Sequence, residues 1–153
     1  MTAVYSGMKV GAIKDLIKDL PPDKIKEHNK ITKKMYRKIL KHCPNNVQIL
    51  SNLGNMYLDE NKFEKTLKLF KKATIIGPNY AETWNNLGYA SEKKGDLLNA
   101  EKYYRKGIAL KPDISQIHYN LAECLRKNKR YNEALKEYST IPKHASNYHH
   151  AIR

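Results

Sequence analysis

The chain has 153 residues, 41% hydrophobic and 29% charged, with only 7 Gly and 6 Pro. That length suits one ordinary domain and supplies enough apolar material for a continuous core, which excludes disordered, collagen-like and low-complexity classes. The 29 Lys+Arg against 15 Asp+Glu leave a net charge of +14, which points to an acidic partner and says nothing about the fold.

In chain order, residues Met8 to Leu20 come first. Val10, Ile13, Leu16, Ile17 and Leu20 fall at helical spacing until Pro21-Pro22 interrupts them. Lys9, Lys14, Asp15 and Lys18 break the stretch, so it is neither a signal peptide nor the ~18–20 apolar residues that cross a bilayer, and no membrane insertion is expected. Residues Asp23 to His42 predict a second helix dense in base: Lys24, Lys26, Lys30, Lys33, Lys34, Arg37, Lys38 and Lys41 against Asp23 and Glu27. The two cysteines, Cys43 and Cys124, have no metal-ligand spacing around them and cannot build a disulfide framework. The expectation is a soluble protein of a reducing compartment, the cytoplasm.

From Val47 onward the sequence repeats with a period of 34 and no gap. Leu53, Leu87 and Leu121 coincide, as do Gly54, Gly88 and Ala122; later in each period Thr66, Ala100 and Ala134 coincide, then Phe70, Tyr104 and Tyr138. Within a period the apolar residues sit at helical spacing, first Leu50, Leu53, Met56 and Tyr57, then Phe63, Leu67, Phe70 and Ile75. Asn61-Lys62 and Gly95-Asp96 supply turns, and Pro78 and Pro112 close the first two periods. Gly95 suits a helix C′ position that needs a positive φ. One period upstream, Pro44, Tyr36 and Thr32 fall in phase, so Asp23 to His42 reads as the second helix of an earlier unit. Each helix pair leaves an apolar face that a neighbouring pair must cover.

Trp84, Leu87, Gly88, Ala100, Tyr104, Gly107 and Pro112 fall where the tetratricopeptide repeat carries its signature, and the chain resembles that family over about two thirds of its length. In style the repeats are similar to those of the O-linked N-acetylglucosamine transferase superhelix. The departures are Leu50 and His118 in the Trp place, Ser91 and Leu125 in the Tyr place of the first helix, and Ile141 in a small-residue place. The resemblance implies an all-α fold, an α-solenoid of helix-turn-helix repeats. The expected layout is a capping helix and half repeat over 1–46, repeats over 47–80, 81–114 and 115–148, and a tail or further helix over 149–153. The third repeat lacks its closing Pro, so the sequence reads as stopping mid-unit. Leu135, Tyr138 and Ile141 are expected to form an apolar face that Tyr148, Ala151 and Ile152 cover in part. Self-association through this end, or continuation of the natural chain past Arg153, would follow.

In a solenoid of this family the first helix of each pair lines a concave groove. The candidate lining is Gln48, Ser51, Asn52, Asn55 and Asp59, then Glu82, Asn85, Asn86, Tyr89 and Lys93, then Gln116, Tyr119, Asn120, Glu123 and Lys127. Asn52, Asn86 and Asn120 form a ladder, and an amide that both donates and accepts can hold an extended peptide by its backbone. Some relatives grip the C-terminal carboxylate of heat-shock chaperones with two Asn and three basic residues. Asn55 and Asn86 stand in the Asn places here, but Ser51, Gln116 and Asn120 replace the cations, which argues against that ligand.

The remaining base falls on second helices and turns, as in Lys65, Lys68, Lys71 and Lys72, and Lys outnumbers Arg, the residue that phosphate recognition more often recruits. No aromatic residues interleave with it as a base-stacking platform. The histidines have no metalloprotease spacing, neither cysteine has a base beside it in sequence, and no Gly loop cradles phosphate. The leading expectation is a non-catalytic scaffold, without cofactor or metal, that binds a protein or peptide in its groove. The alternatives are the substrate-recruiting N-terminal arm of a larger transferase, and a basic accessory protein that binds RNA or an anionic surface.

Overall fold

A computed structural model describes residues 17–143, and every regular element in them is an α-helix. The chain divides into two compact units, Met1–Pro44 and Asn45–Arg153. Most of the amphipathic stretch at Met8 to Leu20, the segment from Tyr148 to Arg153, and His144, His149 and His150 lie outside the described residues.

In the first unit α1 spans Pro22–His42. Pro22 sits in the first turn, where the N–H it lacks would have had no partner in the helix. Asp23 opens the helix and Lys41 lies in its last turn, each with the sign the helix dipole favours. None of its side chains is buried.

In the second unit six helices make three antiparallel pairs: α2 (Val47–Asp59) with α3 (Phe63–Ile76), α4 (Ala81–Lys94) with α5 (Leu97–Leu110), and α6 (Ser115–Lys127) with α7 (Tyr131–Ser139). α3 packs on α4 and α5 on α6, so the pairs stack in sequence order. α2 also touches α4, and α4 touches α6, which places the first helices side by side on one face. This is the α-solenoid arrangement.

The turn inside each pair has one geometry. Asn61, Gly95 and Lys129, one period apart, have φ of 58°, 94° and 60°. The next residue donates its N–H five residues back, Lys62 to Tyr57, Asp96 to Ser91 and Arg130 to Leu125, at 2.9 Å each time. Gly adopts this left-handed conformation freely and Asn tolerates it, whereas a Lys side chain there costs on the order of 1 kcal/mol.

Between the first and second pairs Phe70, Leu87 and Ala90 form a buried cluster joined by Leu58, Leu67, Trp84 and Tyr103. Between the second and third, Tyr104, Ile117, Leu121, Cys124 and Leu125 do the same with Ala81, Ala100 and Ala134. Of the C-terminal face, Ile141 is 7% exposed, Tyr138 half-buried and Leu135 66% exposed. Tyr131 is exposed too, whereas Leu97 and Leu67, one and two periods before Tyr131 and Leu135, pack into those clusters.

The closest approach within a pair is made by a missing side chain. A Cβ at Gly88 would stand 2.7 Å from both Cδ1 and Cε1 of the fully buried Tyr104, and one at Gly54 would collide with the ring of Phe70. Gly88→Ala should therefore destabilise the second unit by about 1–2 kcal/mol, even after the helix propensity gained over Gly, as measured by urea unfolding. Unchanged stability would mean that the Tyr104 ring has room to move.

Candidate functional site

The candidate site is the face made by α2, α4 and α6. Its side chains divide into those that the fold itself employs and those left open. Gln48 donates to Asn52 Oδ1 at 3.2 Å on α2, and Gln116 donates to Asn120 Oδ1 at 3.0 Å on α6. Both pairs are four apart, which brings them together on one side of a helix. Asn120 goes further: it is buried, and its Nδ2 donates to Asn85 Oδ1 at 2.9 Å across the junction between pairs. Its amide is committed to the protein.

Among the described residues, Ser51, Asn55 and Asn86 are half-buried and have no side-chain hydrogen bond. Asn86 is thus the open member of the asparagine ladder. One turn along α4 Tyr89 is 39% exposed, with the Lys93 ammonium 5.2 Å from its ring centre. Glu82 lies exposed and pairs with Lys111 at 3.5 Å. Asp59 and Lys127 are exposed at the far ends of α2 and α6.

On α6, Tyr119 stacks at a tilt on Tyr138, ring centres 6.1 Å apart. Tyr138 donates its hydroxyl to Glu123, which Arg126 also holds, at 2.8 Å. The Arg126 guanidinium keeps the Glu123 carboxyl below the usual carboxylate range, against the opposing effect of burial. Glu123 is therefore an occupied anion on this face.

Glu92 was not among the candidate residues read from the sequence. It is 8% exposed and accepts from the buried Tyr104 hydroxyl at 2.7 Å and from the Lys127 ammonium at 2.6 Å. Burial raises the Tyr104 phenol and the Glu92 charge adds to it, so the hydroxyl stays a neutral donor; the bond to Glu92 raises the Lys127 ammonium as well. The signal was present in the repeat alignment. In the first repeat the equivalents of Glu92 and Tyr104 are Leu58 and Phe70, a pair with no polar atoms to satisfy.

No group of three or more His, Cys, Asp and Glu able to hold a metal occurs among the described residues. Burial, with Glu92 and Glu101 nearby, pushes the Cys124 thiol up to about 11, so it remains a protonated core residue. His118 bonds the Pro112 carbonyl at 2.7 Å and Glu137 at 2.9 Å. The first contact repeats, one period on, that of Trp84 with the Pro78 carbonyl at 2.8 Å. Both of its ring nitrogens are thereby occupied.

Glu92→Leu alone strands the buried Tyr104 hydroxyl and should cost about 1–3 kcal/mol. Adding Tyr104→Phe copies the first repeat and should recover most of that loss. A double-mutant cycle in urea reads the coupling, expected at about 0.5–3 kcal/mol; additive losses would show that Glu92 and Tyr104 act independently.

Two family models of the tetratricopeptide repeat match the chain, over residues 54–95 and 92–153, together about two thirds of it. No curated protein sequence gives a match. Among solved structures, the crystal structure of MamA superposes with a TM-score of 0.70 at 24% identity, covering 86% of this chain and 72% of that one. MamA residues 41 to the end from Desulfovibrio magneticus RS-1 give 0.69 at 18% identity, with 74% and 64% covered. MamA AMB-1 gives 0.63 at 22%, with 71% and 64% covered, so the chain spans less than two thirds of these last two. At such identities the likeness is one of fold. The gapless period, the common turn and the two family matches agree: this chain belongs to the tetratricopeptide-repeat family.

Proposed function

We propose that the protein is a non-catalytic scaffold that holds an extended peptide or a helix of a partner protein along the face of α2, α4 and α6. Membership in a family of protein-interaction repeats supports the general role. The finer reading is carried by one observation: Asn55 and Asn86 keep unbonded amides on a face where neighbouring polar groups are paired within the protein. An amide that the fold does not use can both donate to and accept from a peptide backbone. Tyr89 adds an exposed ring beside it, a residue type enriched in interface contacts. The exposed free thiol of Cys43 suits work in a reducing compartment, the cytoplasm.

A peptide selected by display against the protein provides the test. Asn86→Ala should weaken its binding by roughly two- to tenfold, the worth of one hydrogen bond, with helicity and melting unchanged. Asn120→Ala should instead lower stability, because it breaks the bond to Asn85. Equal affinity of parent and Asn86→Ala for every selected peptide would remove the groove from this role.

A second reading rests on the exposure of Leu135 and Tyr131 at positions that elsewhere pack on a following pair. A second copy presenting the same patch about a two-fold axis would cover both. Sedimentation of the protein at high concentration should show a dimer that Leu135→Glu abolishes; a parent that is monomeric throughout would exclude this contact.

A further inference from the structure

Helix α1 differs in two respects from the other six helices among the described residues. It is the longest, with 21 residues, and the only one among them with no buried side chain. Lys26, Lys30, Lys34 and Lys38 follow at intervals of four, and Lys41 continues the row; all five are exposed. Residues four apart on a helix are neighbours, and like charges there repel. At 1.5 Å per residue the row is about 22 Å long. The acidic groups of the helix offset little of it: Asp23 lies in the first turn, and Glu27 is 3.6 Å from Lys24.

Turning the helix past Lys38 brings up Ile31 and Met35, which are 60% and 54% exposed. Ile25, Tyr36, Ile39 and Leu40, half-buried, continue the apolar side. The helix therefore presents a lysine row and, along its edge, bare hydrocarbon. We propose that α1 binds the surface of an anionic lipid bilayer, with the lysine row among the headgroups and Ile31 and Met35 dipping below them.

Two features favour lipid over nucleic acid. Seven of the eight basic residues are Lys, and the planar fork of Arg, better suited to ordered phosphate contacts, occurs once. Ile31 and Met35 would have nothing to bury against in a phosphate-lined groove, whereas Lys stems lie along an apolar interface while their ammonium groups reach the headgroups. No helix among the described residues is long and apolar enough to cross the membrane, so the contact is with its surface.

Co-sedimentation of the full chain with vesicles tests the proposal. Vesicles with about 30% phosphatidylserine should bind it, those of phosphatidylcholine alone should not, and raising the salt should weaken binding. Changing Lys26, Lys30, Lys34 and Lys38 together to Ala, which keeps a strong helix former at each place, should cut affinity at least about a hundredfold. Ile31→Ser with Met35→Ser should cut it about tenfold or more at unchanged charge. Circular dichroism checks that both variants stay helical. Equal binding to both vesicle types, or an undiminished quadruple variant, would overturn the proposal. So would an RNA hairpin that displaces the vesicles while the Ile31→Ser/Met35→Ser variant binds them as the parent does.

Discussion

The second unit depends on how closely the two helices of a pair can approach. Phe70 and Tyr104 are fully buried because Gly54 and Gly88 present bare backbone to their rings. With each ring held close to its partner helix, the next pair packs on it: Phe70 clusters with Leu87 and Ala90, Tyr104 with Leu121 and Cys124. The third pair has Ala122 in the glycine place, and no pair follows it among the described residues. Its Tyr138 stands half-buried, turned to Tyr119 and Glu123 on the candidate binding face. The same residue type at the same phase thus changes from core to surface when its two neighbours change.

The three repeats also show what happens when an aromatic position gains a hydroxyl. Phe70 needs no partner and meets Leu58. Tyr104 needs an acceptor, and Glu92 stands one period after Leu58 to provide it. The next residue in that phase is Arg126, which can only donate, so Tyr138 bonds Glu123 and Arg126 bonds the same carboxylate. Each solution satisfies the buried or half-buried polar atoms, as the low dielectric of such sites demands.

Much of this was legible in the sequence because period is a strong signal. The first helices of the pairs start at Val47, Ala81 and Ser115 and the second at Phe63, Leu97 and Tyr131, 34 residues apart each time, and Asn61, Gly95 and Lys129 share one backbone conformation because they share one phase. What the period could not reveal was contact between repeats, since that runs at a different offset. Asn120 bonds Asn85 and Lys127 bonds Glu92, 35 residues away in both cases rather than 34. A ladder written at the repeat period therefore treats Asn52, Asn86 and Asn120 as equivalent, although the stacking consumes the last and leaves the middle one open. Stacking geometry, not residue type, decides which asparagine amide stays unbonded.

That offset also makes the two junctions unequal. Between the second and third pairs, Asn85–Asn120 and Glu92–Lys127 lie seven residues, or two helical turns, apart on both helices and tie α4 to α6 at two heights. One period earlier the same places hold Ser51 with Asn86 and Leu58 with Lys93, neither of which forms such a bond, so that junction rests on apolar packing around Phe70 and Leu87 and on the Lys94–Glu64 pair between α4 and α3, with no tie of this kind between α2 and α4. In a repeat array stability is the sum of each unit and its nearest-neighbour interface. The α2–α4 contact, which lacks these ties, is then the one where the proposed ligand's backbone would supply them. A peptide bonded by Asn86 and Asn55 at once would bridge α2 and α4 as Asn120 bridges α4 and α6, coupling the first pair to the rest of the stack. In the proposed binding mode, binding and repeat–repeat cohesion are one interaction, made by the protein at one junction and completed by the partner at the other.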